Sequence, residues 1–119
     1  MSAEVIDAFN RTVTIEVIGK LSPDELAEVH RQSAAPLAAW NGGNLLILAE
    51  AFEGWSDDAN WESLDFQTRN DSLVRKMAIV ADTRWEQLAL MFTAKGLRPF
   101  PIEYFPSGAE SEARSWLNA

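Results

Sequence analysis

Residues Asn44 to Glu50 read NLLILAE, and residues Lys76 to Asp82 read KMAIVAD. Each is a continuous apolar run of strand length. A strand with one face in water alternates apolar and polar side chains, whereas a strand covered on both faces does not. Two such runs therefore predict a sheet with helices on both sides, which is an α/β layered domain.

The flanking segments complete that reading. Upstream, EVIDAF alternates weakly and TVTIEVIG alternates well, with Val13, Ile15 and Val17 on one face and Thr12, Thr14 and Glu16 on the other. Asn10-Arg11 between them suits a tight hairpin. LSPDELAEVHRQSAAPLAAW opens with Ser22 as N-cap, Pro23 at the first helical position and Glu25 closing a capping box. Leu26, Val29, Leu37 and Trp40 recur at helical spacing, and Pro36 should bend or loosen the last turn. Glycines in NGG then break the chain before NLLILAE.

A second helix is expected from about Asp57 to Asp71. DTRWEQLALMFTAKG reads as a third, capped by Thr83 with Glu86 three residues on and stopped by Gly96. PFPIEYFP is a strand with prolines at both ends, which suits a sheet edge. SGAESEARSWL repeats a capping box with Ser107 and Glu110. The predicted order is ββαβαβαβα: a single domain over residues 1–119, with a central mixed sheet covered by four helices.

Composition narrows the chemistry. The 119 residues are 47% apolar and 24% charged, ordinary values for a globular chain. There is no cysteine, so disulfides, thiol nucleophiles and cysteine-held metals are excluded. A net charge of −8 argues against nucleic acid, which needs clustered Lys and Arg. Between Arg31 and Arg69 no basic residue occurs, while Glu50, Glu53, Asp57, Asp58, Glu62 and Asp65 fall in that gap. No apolar run approaches the roughly 20 residues that cross a bilayer. MSAEVIDAFN has neither the basic nor the apolar region of a secretion signal, so the cytoplasm is the expected location.

The pieces FEGW at Phe52–Trp55, NWESLDF at Asn60–Phe66, RKMAIVADTRWE at Arg75–Glu86 and IEYFP before the last helix together resemble the SpoIIAA-like family. That family lies within the STAS (sulfate transporter and anti-sigma-factor antagonist) fold group. The resemblance runs from the first hairpin to the last helix. It implies a STAS-like α/β fold and a non-enzymatic habit of binding partners or small molecules, with lipid carriers of the CRAL-TRIO type as fold relatives. The family usually carries His where this chain has Glu53, a basic-His pair near Arg69-Asn70, and Gly at Ala81. Signalling STAS members carry a phosphorylated Ser in an Asp-Ser-Ser/Thr-Gly stretch where the third strand meets its helix. This chain has AEAFEGWSDD there, and Asp57 and Asp58 would repel a phosphate on Ser56.

No residue set assembles into a catalytic centre. The lone histidine, His30, lies beside the apolar stripe of the first helix and reads as structural. Asp57 and Asp58 lack the spacing of a calcium loop and serve a helix start, so no metal or cofactor is expected. The aromatics say more. In the second helix Trp61, Leu64 and Thr68 share one face while Ala59 and Phe66 lie almost opposite, so two apolar stripes need two neighbours. In the third, Trp85, Leu88, Ala89, Met91 and Phe92 span about 160° at 100° per residue. Core packing accounts for much of this. The surplus predicts an apolar cleft between the second and third helices, with Phe52 and Trp55 as its lip and Trp61, Phe66, Leu88, Met91 and Phe92 as its walls.

The expected function is thus non-enzymatic binding of a hydrophobic small molecule or lipid, with membrane contact at most peripheral. The alternative is a protein-interaction regulator, in which the same surface meets a protein partner or a second copy. Trp85 is expected in the core and Trp55 partly exposed on a loop. Trp85→Ala should then cost about 3–5 kcal/mol and Trp55→Ala under about 1.5 kcal/mol.

Overall fold

A computed structural model describes residues 3–56, 71–93 and 95–119. Its elements are β1 (Ala3–Phe9), β2 (Thr12–Leu21), α1 (Pro23–Ala39), β3 (Gly43–Trp55), β4 (Val74–Ala81), α2 (Glu86–Phe92), β5 (Ile102–Pro106) and α3 (Glu110–Leu117). Short 3-10 turns, Asp71–Leu73 and Thr83–Trp85, lead into β4 and α2. The helix expected from about Asp57 to Asp71, with Trp61 and Phe66, lies outside the described residues up to position 70; Asp71 itself begins the 3-10 turn.

The five strands form one mixed sheet in the order β1-β2-β3-β4-β5. β1 and β2 pair antiparallel, and every later pairing is parallel. Asn10 and Arg11 both take positive φ, 53° and 59°, which matches the primed turn that a two-residue hairpin requires. β5 is an edge strand, as its flanking prolines predict.

Both faces of the apolar strands are buried. Val13, Ile15, Leu45, Met77 and Ile79 face α1 and α2 in one core layer, while Leu46, Leu48, Ala78 and Val80 pack against Ala113 and Leu117 of α3 in the other. α1 begins as the sequence indicates, with Ser22 Oγ accepting from Glu25 N at 3.2 Å and Pro23 in the first turn. Pro36 lies inside α1, which runs on to Ala39.

Two helix starts differ from expectation. Asp82, rather than Thr83, caps the turn before α2, its Oδ1 accepting from Arg84 N at 3.0 Å. Asp82 follows directly on β4, so its carboxylate is the first oxygen in reach of the turning backbone. α2 itself ends at Phe92, short of Gly96. α3 is preceded by Ala109, and no side chain caps it. The N–H of Gly108 instead bonds Glu50 Oε2 at 2.7 Å, so an acid of β3 holds the turn in which a Ser107 cap was expected.

The far end of α3 is tied down by side chains of the sheet. Lys76 Nζ donates to Trp116 O at 2.8 Å and Asn44 Nδ2 to Leu117 O at 3.1 Å. These donors satisfy helix-terminal carbonyls that have no partner within the helix, and the ammonium complements the negative end of the helix dipole.

Candidate functional site

β3 is longer than its apolar run, and Phe52 and Trp55 among its last five residues build one end of the site. Strict alternation from Ala49 would turn Phe52 to the α3 side. The pairing of β2 with β3 slips between Glu16 and Ile18, where Leu48 and Ala51 are the partners, so β3 carries one extra residue. The slip brings Phe52 onto the face of Ala49, in the core under α1 and α2. A second slip, between Gly19 and Lys20, falls beside Gly54, whose φ of 110° suits glycine. Phe52 and Trp55, three apart in a strand, therefore reach the same side. Their ring centroids are 4.9 Å apart and nearly perpendicular.

Trp85 and Phe92 join them from beyond β4. Trp85 lies 5.0 Å from Phe52 and 6.0 Å from Trp55, and Phe92 lies 5.2 Å from Trp55. Trp85 Nε1 donates to the Phe52 carbonyl at 3.0 Å, which binds the turn before α2 to the end of β3. Trp55 is the last residue of β3 rather than part of a loop, and both tryptophans are half-buried.

These rings line one end of a partly open cavity of about 100 Å³. Among the described residues its floor is Ile15, Leu45, Ile47, Met77 and Ile79, and its roof is Leu26, Val29 and Ala89. The opposite end is polar. Gly43 pairs with Val74, so Asp71 sits at the N-terminal ends of the strands while Phe52 and Trp55 sit at the C-terminal end of β3. Arg98 grips Asp71 with two hydrogen bonds, Nε to Oδ2 at 2.9 Å and Nη2 to Oδ1 at 2.8 Å. A third runs from Arg98 Nη1 to Thr93 O at 2.9 Å. The pair is buried, with side-chain exposures of 6% and 14%.

His30 of α1 lines the cavity beside this pair. Burial, and then repulsion from Arg98, hold its pKa down at about 4 against the opposing pull of Asp71, so the imidazole is neutral near pH 7. His30 is half-buried, in keeping with its place beside the apolar stripe of α1.

Of the residues expected to form the cleft, the structure brings Phe52, Trp55 and Phe92 together on the cavity wall. Leu88 and Met91 do not line it; they lie on the outer face of α2, 47% and 75% exposed. Trp61 and Phe66 lie outside the described residues. Trp85, Ala89 and the Asp71–Arg98 pair were not foreseen as part of the site. Ala89 and Phe92 are three apart on α2, a signal that was legible. The Asp71–Arg98 pair spans 27 positions and had none. Among the described residues no group of three or more acids or histidines is placed to hold a metal ion.

The SpoIIAA-like family model matches residues 12–118. The chain belongs to the SpoIIAA-like family. An uncharacterised DUF3478-family protein from Shewanella loihica PV-4, whose crystal structure has a SpoIIAA-like fold, superposes with a TM-score of 0.71. The match covers 97% of this chain and 91% of that one at 18% identity, a likeness of fold alone. No curated protein sequence matches the chain. Within this SpoIIAA-like fold, no described helix is long and apolar enough to cross a membrane.

Proposed function

We propose that this SpoIIAA-like protein is a non-enzymatic binding module for a small hydrophobic molecule, held between the sheet and helices α1 and α2. The observation that carries this reading is the apolar cavity of about 100 Å³. Protein interiors rarely leave such a void, because unfilled space forfeits dispersion contacts on every wall. An engineered apolar cavity of about 150 Å³ stays dry and takes up benzene. The present one is of the same order, and Met77 on its floor is an adaptable neighbour. The volume favours the smaller of the two ligand classes expected from the sequence. A ring-sized molecule fits with small side-chain adjustments, whereas a long acyl chain needs the walls to part.

Ala89 of α2 lines the cavity, so Ala89→Leu extends a side chain into it from a helix that tolerates leucine. Benzene at saturating concentration should raise the melting temperature of the wild type and leave that of Ala89→Leu unchanged. Palmitate should shift neither. An absence of any response to benzene, toluene or indole in the wild type would rule this reading out; a palmitate response larger than the benzene response would favour a lipid.

A second reading, a protein-interaction regulator, is supported by a separate surface. Leu88, Met91 and Leu97 on and after α2 are 47%, 75% and 88% exposed. Exposed apolar side chains so close in sequence suit a partner's surface. A stoichiometric protein recovered with the wild type and lost with Met91→Glu would support it.

A further inference from the structure

Two tryptophans share the aromatic end of the cavity, and the fold treats their N–H groups differently. Trp85 Nε1 has the Phe52 carbonyl. Trp55 Nε1 is buried and meets no acceptor among the described residues. The rings packed around it belong to Phe52, Trp85 and Phe92, none of which offers an accepting atom. An indole nitrogen can only donate, and a buried donor without an acceptor is a standing cost to the folded state.

The polar side chains that line the cavity among the described residues are His30, Ser33, Asp71, Thr93 and Arg98, and none of them accepts from Trp55 Nε1. Ser33 Oγ donates to Val29 O at 2.7 Å and Thr93 Oγ1 to Ala89 O at 2.8 Å, each within its own helical turn. The Asp71 oxygens are both engaged by Arg98 at the opposite end. With no acceptor on the described wall in place for Trp55 Nε1, the cavity's occupant is the group that can bring one.

We propose that the ligand is a neutral ring-sized molecule bearing one carbonyl or ether oxygen, which accepts from Trp55 Nε1 while its hydrocarbon body fills the apolar remainder. This inference rests on the binding-module reading and names the class of molecule bound. A neutral acceptor suits the cavity better than a carboxylate. Arg98 is already neutralised by Asp71, so an anionic ligand would bring a charge that nothing on the wall balances, and an unpaired buried charge costs far more than one hydrogen bond returns. A hydrocarbon of the same shape binds through the same contacts and leaves the indole as it is.

The test compares cyclohexanone with methylenecyclohexane, which has the same shape and no oxygen. Nitrogen-15-labelled protein is titrated with each, and the tryptophan side-chain N–H resonances are followed by NMR. Both compounds should bind, with cyclohexanone about fivefold tighter. The Trp55 N–H proton should move downfield with the ketone only, while the Trp85 resonance moves with neither. Trp55→Phe, which keeps an aromatic ring and removes the donor, should bind the two compounds equally. Should that variant fail to fold, the wild-type titration with assigned resonances decides alone. Equal affinities with a Trp55 resonance indifferent to the carbonyl would overturn the acceptor assignment and leave the cavity reading standing. Binding of neither compound would overturn both.

Discussion

At His30, burial and the Arg98 guanidinium both oppose protonation, so the folded pKa of about 4 lies below the ordinary 6.5. Between those values the unfolded chain binds a proton that the folded chain does not. The contribution of His30 is therefore fully present above about pH 6.5 and is lost progressively as pH falls toward about 4. Urea midpoints measured at pH 7.0 and 5.0 should fall with acidity in the wild type, and by less in His30→Gln, which removes the titrating ring. Equal losses in the two proteins would show that other groups dominate. Gly43 makes a second case at this scale. A Cβ there would lie 2.7 Å from the Arg11 carbonyl oxygen and 2.9 Å from the Trp40 ring. The first obstacle is backbone and cannot rotate away, so Gly43→Ala should cost about 1–3 kcal/mol in a denaturation experiment.

Between elements, the aromatic group ties β3 to the turn before α2. The expectation that Trp85→Ala would cost far more than Trp55→Ala assumed one tryptophan in the core and one on a loop. Both are half-buried, and both pack on Phe52. The two losses should therefore converge at about 2–3 kcal/mol each, below the full core value because each ring keeps some contact with solvent. Equilibrium unfolding of both variants measures this directly. The Asp71–Arg98 pair joins the start of β4 to the chain beyond α2, and being buried it responds unevenly to mutation. Arg98→Met strands the Asp71 carboxylate and should cost about 3–5 kcal/mol, whereas adding Asp71→Asn should restore part of that loss. A double variant as unstable as the sum of the singles would show that the two side chains act independently.

For the whole molecule, a ligand that binds only the folded state stabilises it in proportion to the logarithm of its concentration. At about 100 times its Kd, a single-site ligand adds about 2.7 kcal/mol. Ring-sized compounds should therefore keep raising the melting temperature with the logarithm of their concentration, even beyond saturation of the site. Calorimetric scans across a concentration series check the dependence, and Ala89→Leu should flatten it.

NLLILAE and KMAIVAD determined the buried sheet by themselves, because a strand covered on both faces has no polar residue to spare for either. Ser22-Pro23 and Asn10-Arg11 were legible for a similar reason: capping and tight-turn geometry depend on neighbours in sequence. Phe52, Trp55 and Phe92 were legible as surplus aromatics, since a single packed face does not need so many. Which way they point was decided only by the tertiary structure. The slips in pairing between β2 and β3 turn Phe52 and Trp55 to one side, and register is a property of two strands. Leu88 and Met91 lie on the same broad helical arc as Ala89 and Phe92, yet the sheet meets only part of that arc. The Asp71–Arg98 pair and the lowered His30 pKa belong to groups brought together from three distant segments, so neither exists until the chain has folded.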